Sequence, residues 1–149
     1  MLFRSLQKLT AADLIDLQRF TEAWESYPAT WSAAGTPPVL GNGQLLGRKL
    51  VAGKNRWNFI QLIPGSTTTF GTGLYTFSLS DTAWKSSIIC GPMYIFDSGT
   101  ANRSAICVID STRAQIFGVT SADTDVSATV PQTFVNGDNL SALVHYEVA

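Results

Sequence analysis

Apolar and polar residues alternate along two neighbouring stretches of the chain, residues 57–63 and 74–79. In the first stretch one side carries Trp57, Phe59, Gln61 and Ile63, and the other carries Asn58, Ile60 and Leu62. In the second stretch Tyr75, Phe77 and Leu79 share a side. A period of two on either side of a Pro- and Gly-bounded arch predicts strand, loop and strand. Since no acid, base or thiol lies within residues 57–79, we interpret this stretch as scaffold.

The same strand pattern, broken by Gly, Pro and Asn turns, continues from residue 30 to the end of the chain. Further strands are predicted at residues 30–33, 44–52, 86–90, 92–96, 104–109, 115–120 and 140–148. The polar tract 121–133, which contains a proline, is predicted to be a long loop with one short edge strand. Short strands with a turn every 8–12 residues or so predict an all-β fold, an antiparallel β-sandwich or jelly roll.

A helical period occurs only near the start of the chain. Thr10 and Asp13 form a capping signal, from which we predict one short N-terminal α-helix extending to about Glu25. Its apolar stripe consists of Leu14, Leu17, Phe20 and Trp24. The stripe is too short for an independent coiled coil, so it either packs on its own domain or meets other copies, and we favour the second. The predicted domains are an attachment or oligomerisation helix at 1–26 and a β-sandwich domain at 27–149.

Composition fits a single β domain with a partly covered surface. The 149 residues are enough for one core, and 45% of them are hydrophobic. Only 14% are charged, against about a quarter in an average domain. The net charge of −1 gives no overall field for nucleic acid or a membrane surface, and no apolar run approaches the roughly 20 residues of a membrane span. The first residues, MLFRSLQKL, lack the apolar core of a signal peptide.

Charge is unevenly distributed along the chain. Residues 26–80 contain no Asp or Glu, whereas residues 81–149 contain seven acids and three bases. The four bases of the first segment lie around one predicted hairpin: Arg48, Lys49, Lys54 and Arg56. A basic field this small does not indicate nucleic-acid binding. Two interpretations remain: the charges pair within the chain, or the basic hairpin contacts a partner, such as the acidic edge of another copy.

Residues with reactive side chains are few and scattered. His145, the only histidine, lies on a predicted strand and is expected to be structural, so no catalytic triad is predicted. Cys90 and Cys107 lie in apolar runs and are expected to be buried reduced thiols, with a disulfide as the open alternative. Asp123 and Asp125 are spaced as weak calcium ligands. We therefore predict a non-enzymatic protein without a cofactor, and we assign no metal site.

Five aromatic residues offer a possible sugar-stacking platform: Trp31, Trp57, Tyr75, Trp84 and Tyr94. Because aromatic residues on strands more often belong to the core, we expect three of the five to be buried.

Several short motifs resemble a β module in virion proteins of tailed bacteriophages and prophages of actinobacteria. They are YPATW at 27–31, GTPP at 35–38, GNGQL at 41–45, GR at 47–48, GSTTTFGTG at 65–73 and YTFSL at 75–79. Phe134, NGD at 136–138 and YEVA at 146–149 extend the similarity to the end of the chain. Lys49 departs from the pattern, since an aromatic residue often follows the Gly-Arg pair.

The resemblance implies a trimeric β-sandwich on the surface of a virion and transfers no catalytic residue. The expected function is a fibre-tip or receptor-binding component of the tail that contacts the host cell surface. The expected partners are two further copies, other virion proteins of the tail, baseplate or capsid, and a host glycan. Assembly would occur in the host cytoplasm. Two alternatives remain open: a capsid decoration (head fibre) protein, and a cellular carbohydrate-binding module.

Overall fold

The computed structural model describes residues 23–99 and 101–149. Within these ranges the regular secondary structure consists of β-strands. The nine strands are β1 Glu25–Ser26, β2 Trp31–Ala33, β3 Gln44–Ala52, β4 Asn55–Ile63, β5 Tyr75–Ser78, β6 Ile89–Phe96, β7 Arg103–Ile109, β8 Gln115–Thr120 and β9 Asn139–Glu147. Each paired strand runs antiparallel to its neighbours. The predicted all-β antiparallel class is confirmed.

The nine strands form one curled sheet in the order β1-β3-β4-β9-β6-β7-β8-β5-β2. The strands at its two ends, β1 and β2, are separated in sequence by residues 27–30 alone. A connection this short spans at most about 17 Å, so the two ends of the sheet must approach each other. Tyr27 lies in this connection: its backbone N–H donates to the Gly47 carbonyl of β3 at 3.0 Å. Its hydroxyl donates to the Ser78 carbonyl of β5, also at 3.0 Å.

Most predicted strands are confirmed, and the structure differs from the prediction in two regions of the chain. The predicted strands at 86–90 and 92–96 are a single strand, β6, with an irregular register between Ile89 and Gly91. A Cβ on Gly91 would collide with the Leu143 carbonyl, so the close approach of β9 requires glycine there. The edge strand expected within 121–133 does not form. Ser127 makes only single bridge contacts, because this polar tract contains Pro131 and lacks an alternating pattern.

The predicted N-terminal helix is wrong where it can be compared with the structure. Glu25 and Ser26 form β1, which pairs with Lys49 and Arg48 of β3, and Trp24 has no regular structure. The edge of β3 offers unpaired backbone groups, and Glu25 and Ser26 pair with them as a strand. The rest of the predicted helix, with Leu14, Leu17 and Phe20, lies outside the described residues.

The core forms on the concave side of the curled sheet. The alternation in β4 and β5 is confirmed, since Ile60, Leu62, Tyr75 and Phe77 are completely buried. The other side of β4, including Phe59, is half-buried and faces outward. The remaining fully buried apolar side chains come from the segment after β5, from β6 to β9 and from the loop after β8: Ala83, Met93, Ile95, Cys107, Ile109, Ile116, Val126, Leu140, Ala142 and Val144.

Candidate functional site

The outer face of the sheet exposes apolar side chains on adjacent strands. Leu46, Tyr94, Ile106 and Leu143 point outward from β3, β6, β7 and β9, and each is 43–46% exposed. The register places Phe59 directly beside Leu143, while Leu46 lies two residues along β3 from Arg48, the residue that pairs with Phe59. Single exposed apolar residues are common, but a contiguous set indicates a contact surface.

Trp24 extends this apolar face toward the start of the chain. Its side chain is half-buried and lines a shallow pocket of about 260 Å³ together with Arg48, Phe59 and Leu143. The Arg48 guanidinium donates to the Trp24 carbonyl at 2.9 Å and holds this part of the chain against β3. We call the set Trp24, Leu46, Phe59 and Leu143 the Leu143 patch. The Leu143 patch therefore contains Trp24, one of the residues predicted to be a contact, together with three residues of the sheet.

The four bases of the predicted partner-contact hairpin do not form one basic surface. Arg48 and Lys49 lie on opposite faces of β3, because neighbouring residues in a strand alternate. The Lys49 ammonium lies 3.9 Å from the Glu25 carboxylate, and Arg56 is bonded to another acid. Lys54 lies in the turn between β3 and β4 and is exposed. Two of the four bases therefore pair with acids of the same chain.

Arg56 belongs to a polar network that the sequence did not reveal. Its Nε donates to Asp81 Oδ2 at 2.8 Å, and the Ser80 hydroxyl donates to the same oxygen at 3.0 Å. The Asn58 amide then connects Ser80 to the Tyr146 hydroxyl, with bonds of 3.0 Å on each side. Desolvation alone would raise the pKa of Asp81, but the hydrogen bonds from Arg56 and Ser80 and the nearby positive charges lower it. Desolvation raises the pKa of Tyr146. The network connects β4, β9 and the segment after β5.

His145 lies on the outer face in a structural arrangement. Its ring stacks on Trp57 with a centroid separation of 4.5 Å and an interplanar angle of 21°. Its Nε2 shares a hydrogen bond of 3.1 Å with the Asn55 side-chain oxygen. These contacts hold the imidazole between two neighbouring strands, as expected of a structural histidine.

The two cysteines are free and buried, as expected. The Cys90 thiol donates to the Cys107 carbonyl at 3.5 Å, and the Cys107 thiol donates to the Pro92 carbonyl at the same distance. Burial raises the pKa of Cys90 to about 12 and raises the pKa of Cys107 further. Thiols held in this protonated form are poor nucleophiles at neutral pH.

Only two of the five aromatic residues proposed as a platform join the core, so the expectation of three is wrong. Tyr75 is completely buried, and Trp31 packs edge-to-face against it at 5.2 Å between ring centroids. Trp84 and Tyr94 are 49% and 44% exposed, and Trp57 is half-buried on the outer face. The exposed aromatic rings are therefore distributed over the surface instead of forming one platform.

A polar cavity of about 440 Å³ lies between the start of β7 and the loop that follows β8. Its lining is rich in hydroxyl groups and includes Asn102, Arg103, Ser104, Thr120, Ser121 and Thr124. The Thr120 and Thr124 hydroxyls share a hydrogen bond of 2.7 Å, and the Thr120 N–H donates to the Thr124 carbonyl at 2.9 Å. These bonds fix the loop that forms one wall of the cavity.

The candidate calcium ligands lie in the same loop but outside the cavity lining. Asp123 and Asp125 are both exposed, and Asp123 adopts a left-handed backbone with φ of 56°. Among the residues that the structure describes, no three His, Cys, Asp or Glu side chains come together as metal ligands. The loop acids therefore lack the additional carboxylates of a typical calcium site.

No helix within residues 23–99 and 101–149 is long and apolar enough to cross a membrane. Comparisons with protein-family models, curated proteins and solved structures give no match for this chain.

Proposed function

We propose that this chain is a non-enzymatic structural protein of a tailed bacteriophage, displayed on the virion surface as a homotrimer. Within the particle it acts as a tail fibre-tip or receptor-binding component that contacts the host cell. The motifs of the sequence resemblance lie in the turns and strands of the observed sheet, including GTPP before β3 and YTFSL across β5. They support a shared scaffold, and the surfaces of the sheet support the particular role.

The Leu143 patch is the observation on which the proposal rests. Leu46 and Leu143 are more than two-fifths exposed, and with Phe59 they form an apolar area on three adjacent strands. A second copy is its occupant in our proposal. The patch is continuous with Trp24, the last member of the apolar stripe that we predict to be an oligomer contact.

Charge favours contact between unlike surfaces of two copies. Arg48, exposed beside the patch, belongs to the segment that contains no acid, whereas Asp123, Asp125 and Glu147 are exposed in the acidic part of the chain. A repeated contact between two different surfaces closes into a ring when its rotation is one third of a turn. Such a ring is the trimer that the resemblance implies.

The finer fold assignment also belongs to this proposal. We infer that the curled sheet closes as a β-sandwich of jelly-roll type, with β1, β3, β4 and β9 opposite β2, β5 and β8. Two contacts support this arrangement: Tyr27 bonds to both β3 and β5, and the Asn58 amide on β4 bonds to Ser80 beyond β5.

Two further functions fit the same scaffold. A capsid decoration protein would use the same trimer and differ only in its place on the particle. A carbohydrate-binding module is favoured by a different observation, the hydroxyl-rich cavity beside β7. Labelling with an antibody and imaging whole virions separates the three, because the label marks the tail, the capsid or neither.

The oligomeric state is tested by light scattering on the purified protein. We expect a mass about three times the 16.1 kDa of one chain at micromolar concentration. Replacing Leu46 and Leu143 by Glu should give a folded monomer, because charges in the apolar patch oppose its burial. Val135→Glu is the matched control, since Val135 is 49% exposed outside the patch. A monomeric original protein, or a trimeric double variant, would contradict the proposed contact.

A further inference from the structure

We propose that the polar cavity between β7 and the loop after β8 binds a saccharide unit that carries a carboxylate. The inference rests on the proposed receptor-contacting function and deepens it, since it names the site and the ligand class. Two independent observations support it: the chemistry of the lining, and the position of the cavity at one end of the sheet.

The lining combines one cation with many neutral hydrogen-bonding groups. Arg103 is the cation, and no carboxylate belongs to the lining even though Asp123 and Asp125 lie in the same loop. Among the residues that the structure describes, none forms an ion pair with Arg103. A guanidinium binds a carboxylate through two parallel hydrogen bonds, and side-chain hydroxyls and amides suit the hydroxyls of a sugar.

The cavity lies at the opposite end of the sheet from the end toward which residues 26 to 24 run. Asn55, Ile89 and Glu147 mark one end of the strands, and Ile63, Phe96 and Arg103 mark the other. From Ser26 back to Trp24 the chain runs along β3 toward the Asn55 end. A nine-residue strand is about 30 Å long, so a partner bound beside Trp24 would leave the cavity at the far end of the strands free.

Amide NMR on the full chain tests the inference, with methyl glucuronide as the acidic probe and methyl glucoside as its neutral match. We expect saturable shifts confined to Arg103, Ser104 and residues 120–124, with the glucuronide bound more tightly. Arg103→Gln should weaken glucuronide binding about tenfold or more and leave glucoside binding unchanged, because it removes only the partner of the carboxylate.

Lys85→Gln is the control, since it removes an exposed cation that lies over Trp84, outside the cavity lining. Absence of saturable shifts, or an Arg103→Gln variant that binds glucuronide as well as the original protein, would overturn the inference. These results are independent of the particle. If the protein binds glucuronide but is absent from virions, the saccharide site is supported and the proposed virion function is wrong. If the protein is a trimer on the virion but binds no glucuronide, only the saccharide site is wrong.

Discussion

Asn58 is completely buried on β4, and its side chain takes part in four hydrogen bonds. We expect Asn58→Ala to lower the free energy of unfolding by about 2–4 kcal/mol, because the Tyr146 hydroxyl and the Ser80 N–H lose their shared acceptor. Urea denaturation followed by tryptophan fluorescence measures this change. Asn55→Ala is the matched control on the same strand, and its exposed site should change stability by less than about 1 kcal/mol. Equal losses in the two variants would contradict the importance of the network.

Asp81 makes stability depend on acid pH. Its folded-state pKa lies below the usual value of about 3.9, so folding is favoured by its ionised form. The stabilisation is complete above the unfolded pKa and is lost as pH falls through the lower, folded pKa. Thermal melts at several values of pH should therefore show a steeper fall below about pH 4 for the original protein than for Asp81→Asn. A parallel pair of curves would show that the Arg56 contact contributes nothing to this dependence.

Strand β8 can pack closely against Met93 of β6 and Val126 of the loop after β8 only because residue 118 is a glycine. A Cβ at Gly118 would lie 2.6 Å from the Met93 sulfur and 2.8 Å from a Val126 methyl carbon, both in the core. We expect Gly118→Ala to cost about 1–3 kcal/mol, since the core must move to admit the extra methyl group. Gly99→Ala is the control, because its nearest contact is a side-chain oxygen at 3.5 Å. Chemical denaturation measures the free energy of unfolding of both variants. A Gly118→Ala protein as stable as the original would show that the core is looser than its contacts indicate.

Most strands follow directly from the period of two, because burial on one face imposes that period on the sequence. β3 has the same bounds as its prediction, and β4 is longer only by the two residues before Trp57. β1 is the failure at this scale. Glu25 and Ser26 carry no strand pattern, and they are strand only because the edge of β3 lies beside them. A contact between residues more than 20 positions apart leaves no local trace in the sequence.

The strand order, unlike the strands, could not be predicted from local patterns. β9 pairs with β4 and β6, far from it in sequence, and so separates two hairpins of the sheet. The candidate surfaces depend on this order. Leu143 meets Phe59 only through the β4–β9 pairing, and Tyr94 meets Ser104 only through β6–β7. Trp24, predicted from helical spacing to be an oligomer contact, lies beside Phe59 and Leu143 in the structure, and its role as a contact stays a prediction. The sequence grouped Arg48 and Lys49 around one hairpin, but they point to opposite faces of β3.

The position of Trp24 on the sheet determines how the anchor hypothesis should be tested. A deletion that reaches residue 25 would remove Trp24 and half of β1, whereas deletion of residues 1–22 keeps both the Arg48 contact and the pairing with β3. We expect the shorter deletion to leave a folded β domain, since it keeps all nine observed strands and the buried cluster that they enclose. Its melting temperature should fall by no more than a few degrees, and it should no longer join the particle, because the proposed anchor contains Leu14, Leu17 and Phe20.

The matched variant for this test replaces those three residues by Ser in the full chain, which removes the apolar stripe without shortening the protein. Differential scanning calorimetry reports folding, and mass spectrometry of purified virions reports incorporation. If either variant unfolds, residues 1–22 belong to the domain's own stability and the anchor hypothesis is wrong. If both fold and still enter particles, the docking surface lies on the β domain, and the Leu143 patch with Arg48 is then the region whose substitution should release the protein from the virion.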